Sequence, residues 1–356
     1  DSLVIIVNSD VFKTANPFSK MIELLRFKSI TLDESQRIKS PRSKSAAFLR
    51  RLAKKNPNAK RACLTGTPIP HSVFDLWSQL QFLDPAIYPH SFTAWKHLNA
   101  VLHPELHFPV KWINQEVSQR IMDEHAFIPS DDEYLELPEL IVDQINVELS
   151  PSARRIYKEL RADMISKVSD GVITSANAAV RTTRLRQTIA GHYKLDDTTE
   201  VHRIDNKIPD KIQALKDFLQ DVHDADPVVV FCELRAELEE VQELARLLDR
   251  PYAEVSGAPP RDAKTLEDFQ SGDASIIGVQ SRAGGEGIDL SRASLGFFYS
   301  LPWSLGLYHQ TLARLHRPGQ KNTCRFYQLI ADKTIDQKVQ RALFEQKNVV
   351  DFILRG

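Results

Sequence analysis

The 356 residues carry 42% hydrophobic and 26% charged side chains, the make-up of a globular chain of two or three domains, which excludes disorder, collagen and coiled coil as the main class. The longest apolar runs, such as 3–7 and 227–232, fall far short of the roughly 20 residues a membrane helix needs, and three scattered cysteines (Cys63, Cys232, Cys324) argue against a disulfide framework or structural zinc and for a reducing compartment. The net charge of −1 hides an asymmetry: thirteen Lys/Arg against three carboxylates over 20–61, eight against three over 310–347, and nine carboxylates with no Lys or Arg over 121–153. Clustered positive charge is the footprint of a polyanion partner, although solvated helix faces produce the same count.

In chain order, short apolar runs predict strands at 3–7, 29–32, 62–64, 228–232, 275–279, 295–299 and 323–330. Helical periodicity follows several of them, at 45–55, 73–83, 234–248 and 307–315. Short buried strands alternating with helices predict an α/β fold with parallel sheets. The two strand groups are separated by a stretch of different texture, about 85–209, with helical pieces at 92–102, 114–122, 151–167 and 176–189 and one extended run at 140–149. Ser150-Pro151-Ser152 caps the helix after that run with proline at its first turn. The acidic segment 196–210 reads as a linker or exposed loop. An opening in mid-strand, with no basic leader, predicts that the chain is part of something longer and carries no secretory signal.

Four segments carry chemistry. Asp33 and Glu34 follow the strand at 29–32, placing two carboxylates at the carboxyl edge of a parallel sheet, where open α/β folds bind ligands; a surface turn explains the same pair. Leu64-Thr65-Gly66-Thr67-Pro68 sets two hydroxyls around a glycine after the next strand, and a threonine-capped turn is the simpler account. Residues 280–290 place Gly284, Gly285 and Gly287 directly after a strand, so that backbone N–H groups can approach a phosphate or sugar, with Asp289 able to accept from a ribose hydroxyl. The last segment, 310–320, sets Gln310, Arg314 and Arg317 at i, i+4 and i+7 on one predicted helix face, ended by Pro318-Gly319. Two guanidiniums and an amide on one face suit a triphosphate, because arginine meets phosphate in bidentate geometry and stays charged.

Taken in order, these segments resemble helicase superfamily II, and within it the Swi/Snf-type DNA translocases. Residues 33–39 are similar to motif II with its trailing lysine, 64–69 to motif III, Phe231-Cys232 to motif IV, 283–290 to motif V and 310–320 to motif VI; Leu185-Arg186-Gln187 resembles a signature between the lobes. The resemblance implies two RecA-like parallel-sheet lobes clasping ATP, with double-stranded DNA crossing both. It implies a partial first lobe over 1–150 with a helical insertion at about 85–135, a second lobe over 151–335 with helical elements at 151–205, and a C-terminal bracing helix at 336–356. In that scheme Asp33 binds Mg²⁺, Glu34 acts on the attacking water, Arg314 and Arg317 are arginine fingers, and Gln310 senses the nucleotide. Gly285, Gly287 and Asp289 line its sugar and phosphates, Thr65, Gly66 and Thr67 couple hydrolysis to lobe movement, and Arg37, Lys39, Ser281 and Arg282 contact DNA phosphates.

One departure is large: no G-x-x-x-x-G-K-[ST] Walker A loop occurs in the 356 residues. The resemblance therefore implies a first lobe incomplete at its N-terminus and a chain that does not hydrolyse ATP by itself. Asp289 stands where asparagine is commoner in the family, and Ser35-Gln36 replace Ala-His. The expected activity is ATP-dependent translocation on duplex DNA, remodelling DNA or protein–DNA complexes. The alternatives are a strand-separating or annealing helicase of the same superfamily, or a non-catalytic DNA-binding module. Compact middle elements point to a bacterial, archaeal or phage-infected cell rather than a nucleus, with DNA-repair, replication or defence proteins as further partners and no membrane.

Overall fold

The computed structural model describes residues 3–8, 11–12, 16–66, 68–69, 72–88, 90–102, 104, 109–127, 137–169, 175–194, 201–257, 259–282 and 288–355. The chain divides into two compact units, one of residues Asp1–Pro129 with Glu345–Gly356 and one of Ser130–Phe344. The boundary thus falls about twenty residues before the expected one at 150.

In the first unit, β1 (Ser29–Leu32) and β2 (Lys60–Cys63) pair in parallel. They are joined by the helix Lys44–Lys55, which Ser43 caps by accepting the Ala46 N–H at 3.2 Å. Phe48, Leu49 and Leu52 of that helix pack with Ile22, Ile38 and Phe82 into one core cluster. A second cluster, around Leu76, Leu80, Trp95 and Met122, belongs to the insertion. There the predicted helix 92–102 stops at Asn99, and β3 (Ala100–Leu102) turns back antiparallel onto β4 (Pro109–Trp112). The β-branched, outward-facing Val101 suits a hairpin better than a fourth helical turn. Residues 3–7 are not a strand: Leu3, Val4 and Ile6 are exposed, and an apolar run becomes a strand only where a neighbour pairs with it.

The second unit is built on six parallel strands, β5 (Leu140–Val147), β8 (Val228–Cys232), β9 (Tyr252–Val255), β10 (Ile276–Gln280), β11 (Leu295–Phe298) and β12 (Cys324–Ala331), in the order β5-β12-β11-β8-β10-β9. β5 lies in register with β12 from Leu140↔Cys324 to Val147↔Ala331, which is why the unit begins before residue 150. Val228 to Cys232 are all wholly buried, as a central strand covered on both faces requires. Lys211 is wholly buried too; its ammonium meets Asp336 and the Tyr299 carbonyl, each at 2.7 Å, and ties the root of the helix Ile335–Arg355 to the sheet.

Of the expected loop at 196–210, residues 196–200 lie outside the described residues, and the rest is not all loop. Between the helices Ser175–Ile189 and Asp210–Leu219, β6 (His192–Lys194) and β7 (Val201–Arg203) form an antiparallel hairpin. Gly191 enters it at φ +87°, and a Cβ there would lie 2.5 Å from the Pro209 ring. Gly191→Ala is therefore expected to cost about 2 kcal/mol or more, read as a lower urea midpoint at unchanged slope. An unchanged midpoint would contradict this packing.

Candidate functional site

The chemistry-bearing residues of the first unit gather where β1 and β2 end. Asp33 is exposed and accepts the Glu34 N–H at 3.0 Å. Glu34 sits in the left-handed region (φ 49°, ψ 51°), a conformation costly for a residue with a Cβ and held here by its surroundings. The next residue, Ser35, is buried and pinned twice: its N–H donates to the Leu64 carbonyl (3.0 Å) and its hydroxyl to Gln79 Oε1 (2.7 Å). Gln79 in turn donates to the carbonyls of Pro68 (2.8 Å) and Asp75 (3.0 Å), so the two turns are clamped by one side chain.

Across that clamp runs a polar chain. Thr65 Oγ1 donates to Gln36 Oε1 at 2.6 Å, and Gln36 Nε2 donates to Glu34 Oε2. The order of donors is the one a hydroxyl, an amide and a carboxylate demand. Thr65 is half-buried and Gly66 exposed; Thr67 lies outside the described residues. Beyond the turn Arg37 is exposed and Lys39 half-buried, its ammonium pushed below the ordinary lysine value by burial against the opposing pull of Asp75.

In the second unit the predicted single helix face needs correction. The helix runs Leu305–Leu312 and stops, so Gln310 is on it while Arg314 and Arg317 lie in the turns that follow. The Arg314 carbonyl is taken by the Leu290 N–H (3.1 Å), a bond from the other candidate segment. Gln320 holds the arrangement: Nε2 reaches the carbonyls of Ala293 (2.8 Å), Ser291 (3.0 Å) and Leu315 (3.3 Å), and Oε1 accepts the N–H groups of Lys321 (2.9 Å) and Asn322 (3.0 Å). His316 Nε2 meets the Pro138 carbonyl at 2.7 Å.

The two arginines end in different surroundings. Arg314 is 8% exposed, its Nη1 is buried with no partner among the described residues, and burial pushes the guanidinium down to about 10. An unsatisfied buried donor of this kind is the form an anion site takes without its anion. Arg317 is half-exposed; Nη1 donates to the Ile288 carbonyl at 3.3 Å and lies 4.0 Å from Asp289 Oδ1. Burial raises the Asp289 carboxyl, but the Ser291 N–H (2.9 Å) and Arg317 together hold it below the ordinary aspartate value. Gly285 and Gly287 lie outside the described residues.

Of the expected DNA contacts, Arg282 is exposed but Ser281 is not. Ser281 is wholly buried, and its N–H and hydroxyl both reach the Cys232 carbonyl, at 2.8 and 3.2 Å. A direct phosphate contact by Ser281 is thus corrected to a structural role at the end of β10. Sequence reasoning also passed over Gln36 and Gln320, whose partners lie about thirty residues away. Their position beside charged motif residues was the available signal.

Family models and known proteins match most of the chain. A family model described as SNF2-related domain matches residues 4–195, and one described as helicase conserved C-terminal domain matches 210–319. The chain is 27% identical over 351 residues to "putative protein p41" of Acyrthosiphon pisum secondary endosymbiont phage 1, covering 93% of this chain and 72% of that protein. It is 25% identical over 357 residues to the Mus musculus SWI/SNF-related matrix-associated actin-dependent regulator of chromatin subfamily A member 1, covering 92% of this chain and 31% of that protein. With the Bacillus subtilis "uncharacterized ATP-dependent helicase YqhH" the identity is 23%, over 98% of this chain and 64% of that one. Among solved structures, the Sulfolobus solfataricus SWI2/SNF2 ATPase core in complex with dsDNA aligns at a TM-score of 0.49 and 20% identity, over 97% of this chain and 71% of that one. The chain therefore spans about a third of the mouse relative's length and less than two thirds of the B. subtilis protein.

Proposed function

This chain belongs to the SNF2-related family of helicase-like ATPases, and from that premise we propose that it is the working core of an ATP-driven translocase on double-stranded DNA. The observation that carries the reading is the Thr65–Gln36–Glu34 chain, which links the carboxylate that would act on water to the hydroxyl expected to couple hydrolysis to movement. In this reading the first unit supplies the acid–base chemistry. Glu34 takes the proton of the attacking water and Gln36 fixes the direction of its carboxylate. Asp33 would hold Mg²⁺ together with the nucleotide's phosphates, since that ion is usually bound through one or two carboxylates plus substrate oxygens; it neutralises phosphate charge. The second unit supplies the cations, with Arg314 and Arg317 receiving phosphate oxygens and Gln310 and Asp289 marking the nucleotide.

Duplex DNA is assigned to the exposed basic residues Arg37 and Arg282 and to Lys39, each a point of phosphate neutralisation that makes binding salt-dependent. The chain by itself is expected to bind duplex DNA without turnover, and hydrolysis to need a polypeptide that also provides a Walker A loop. Such a polypeptide tests the proposal through a double-mutant cycle on DNA-stimulated ATP hydrolysis. Gln36→Ala and Thr65→Val are each expected to lower turnover about tenfold, and the double variant to be no worse than either alone. Additive losses would show that the two side chains act separately and would remove the coupling role.

A further inference from the structure

Glu233, the first residue after β8, stands at the carboxyl edge of the six-stranded sheet with its side chain 5% exposed. Four elements surround it. From the helix Ser175–Ile189, Arg186 places Nη1 at 3.9 Å from Glu233 Oε2; the same guanidinium donates to the Leu301 carbonyl and lies 5.3 Å from the Trp303 ring. After β10, Ser281, whose hydroxyl donates to the Cys232 carbonyl, and Arg282 both favour the charged form of Glu233. From the helix Arg235–Leu247, Glu237 brings the one like charge. Its own oxygens are satisfied by the N–H groups of Glu233 (2.8 Å) and Leu234 (3.1 Å) and by the Ser300 hydroxyl (2.6 Å).

Glu233 is less well served than Glu237. Its Oε1 is buried and has no hydrogen-bond partner among the described residues. Burial and Glu237 favour the protonated form, and Arg186, Ser281 and Arg282 oppose them; the balance leaves the carboxyl above the ordinary glutamate value. Of the cations that favour this carboxylate, Arg186 is buried and Arg282 is exposed, the latter on the surface already assigned to nucleic-acid phosphate. Two anions, one built in and one arriving, draw on the same positive charge.

We propose that Glu233 is a built-in competitor of the DNA phosphate, weakening duplex binding as a carboxylate and ceasing to do so when a proton from solvent is taken up on its unpartnered oxygen. This rests on the duplex-DNA reading above. Phosphate binding adds negative charge to the edge and raises the tendency of Glu233 to hold its proton, so phosphate and proton bind together. The sign follows: affinity rises as pH falls through the window above the ordinary glutamate range.

The test is duplex-oligonucleotide affinity of the whole chain at fixed salt, by fluorescence anisotropy from pH 8.5 to 6, for the wild type and Glu233→Gln. At pH 8.5 the variant is expected to bind about fivefold tighter, a difference that narrows as pH falls because only the wild type gains from protonation. Histidine titrations act equally on both proteins and cancel in the comparison. Parallel pH profiles, or a folded variant that binds more weakly at pH 8.5, would overturn the proposal while leaving the DNA reading intact. Should Glu233→Gln lower the melting temperature markedly, Glu233→Asp provides the second measurement: retaining the acid, it is expected to keep a pH-dependent affinity, and a flat profile counts against the proposal. A wild-type chain that does not bind duplex at all would remove both readings.

Discussion

Glu34→Gln is expected to reduce DNA-stimulated ATP hydrolysis by about 10²- to 10⁴-fold, in a polypeptide that supplies the Walker A loop, while duplex affinity stays within twofold of wild type. The amide keeps the size of the side chain and can still occupy the left-handed turn, so the polar chain from Thr65 through Gln36 survives in outline. Only the capacity to take a proton from water is lost. A stopped-flow phosphate-release assay beside an anisotropy titration separates the two quantities. Turnover retained in the glutamine variant would mean that another group activates the water, and the assignment of Glu34 would fall.

Arg314→Met and Arg317→Ala are expected to separate a stability effect from a catalytic one. In the proposed reading both remove a cation from the developing phosphate charge, and a loss of about 10³-fold or more in turnover is expected. Their effects on the resting protein differ in size. Arg314 is a buried guanidinium with one nitrogen unsatisfied, so methionine of similar length relieves a desolvation cost. The Arg314→Met melting temperature is expected to rise by roughly 2–4 °C. Arg317 is half-exposed, paired weakly with Asp289 at 4.0 Å, and its loss is expected to leave the melting temperature within about 1 °C. Scanning calorimetry of both variants decides it; a destabilised Arg314→Met would show that the guanidinium is satisfied in solution.

Much of this was legible beforehand, and for identifiable reasons. Strands such as Val228–Cys232 and Ser29–Leu32 emerged at their predicted limits because short β-branched runs between turns have few other ways to hide apolar surface. The helix Arg235–Leu247 was readable from Leu238, Val241 and Leu244 on one face. The candidate site was readable as residues but not as geometry. The i, i+4, i+7 spacing of Gln310, Arg314 and Arg317 assumed an unbroken helix, yet a long-range bond from Leu290 and the Gln320 side chain unwind it after Leu312. Periodicity contains no information about a partner twenty or thirty residues away. The same limit hid the Thr65–Gln36 contact, the pairing of β5 with β12, and the burial of Ser281. Residues 3–7 failed for the converse reason, since their sequence suits a strand but no described neighbour pairs with them.

β8 carries a dynamic consequence. Its five residues have no accessible surface, and it is held in register by β10 on one side and β11 on the other. Its amide protons are expected to reach solvent only when the whole unit opens, so that their exchange reports global unfolding. Any rearrangement within this unit is then expected at the strand ends, where Glu233 and Ser281 sit.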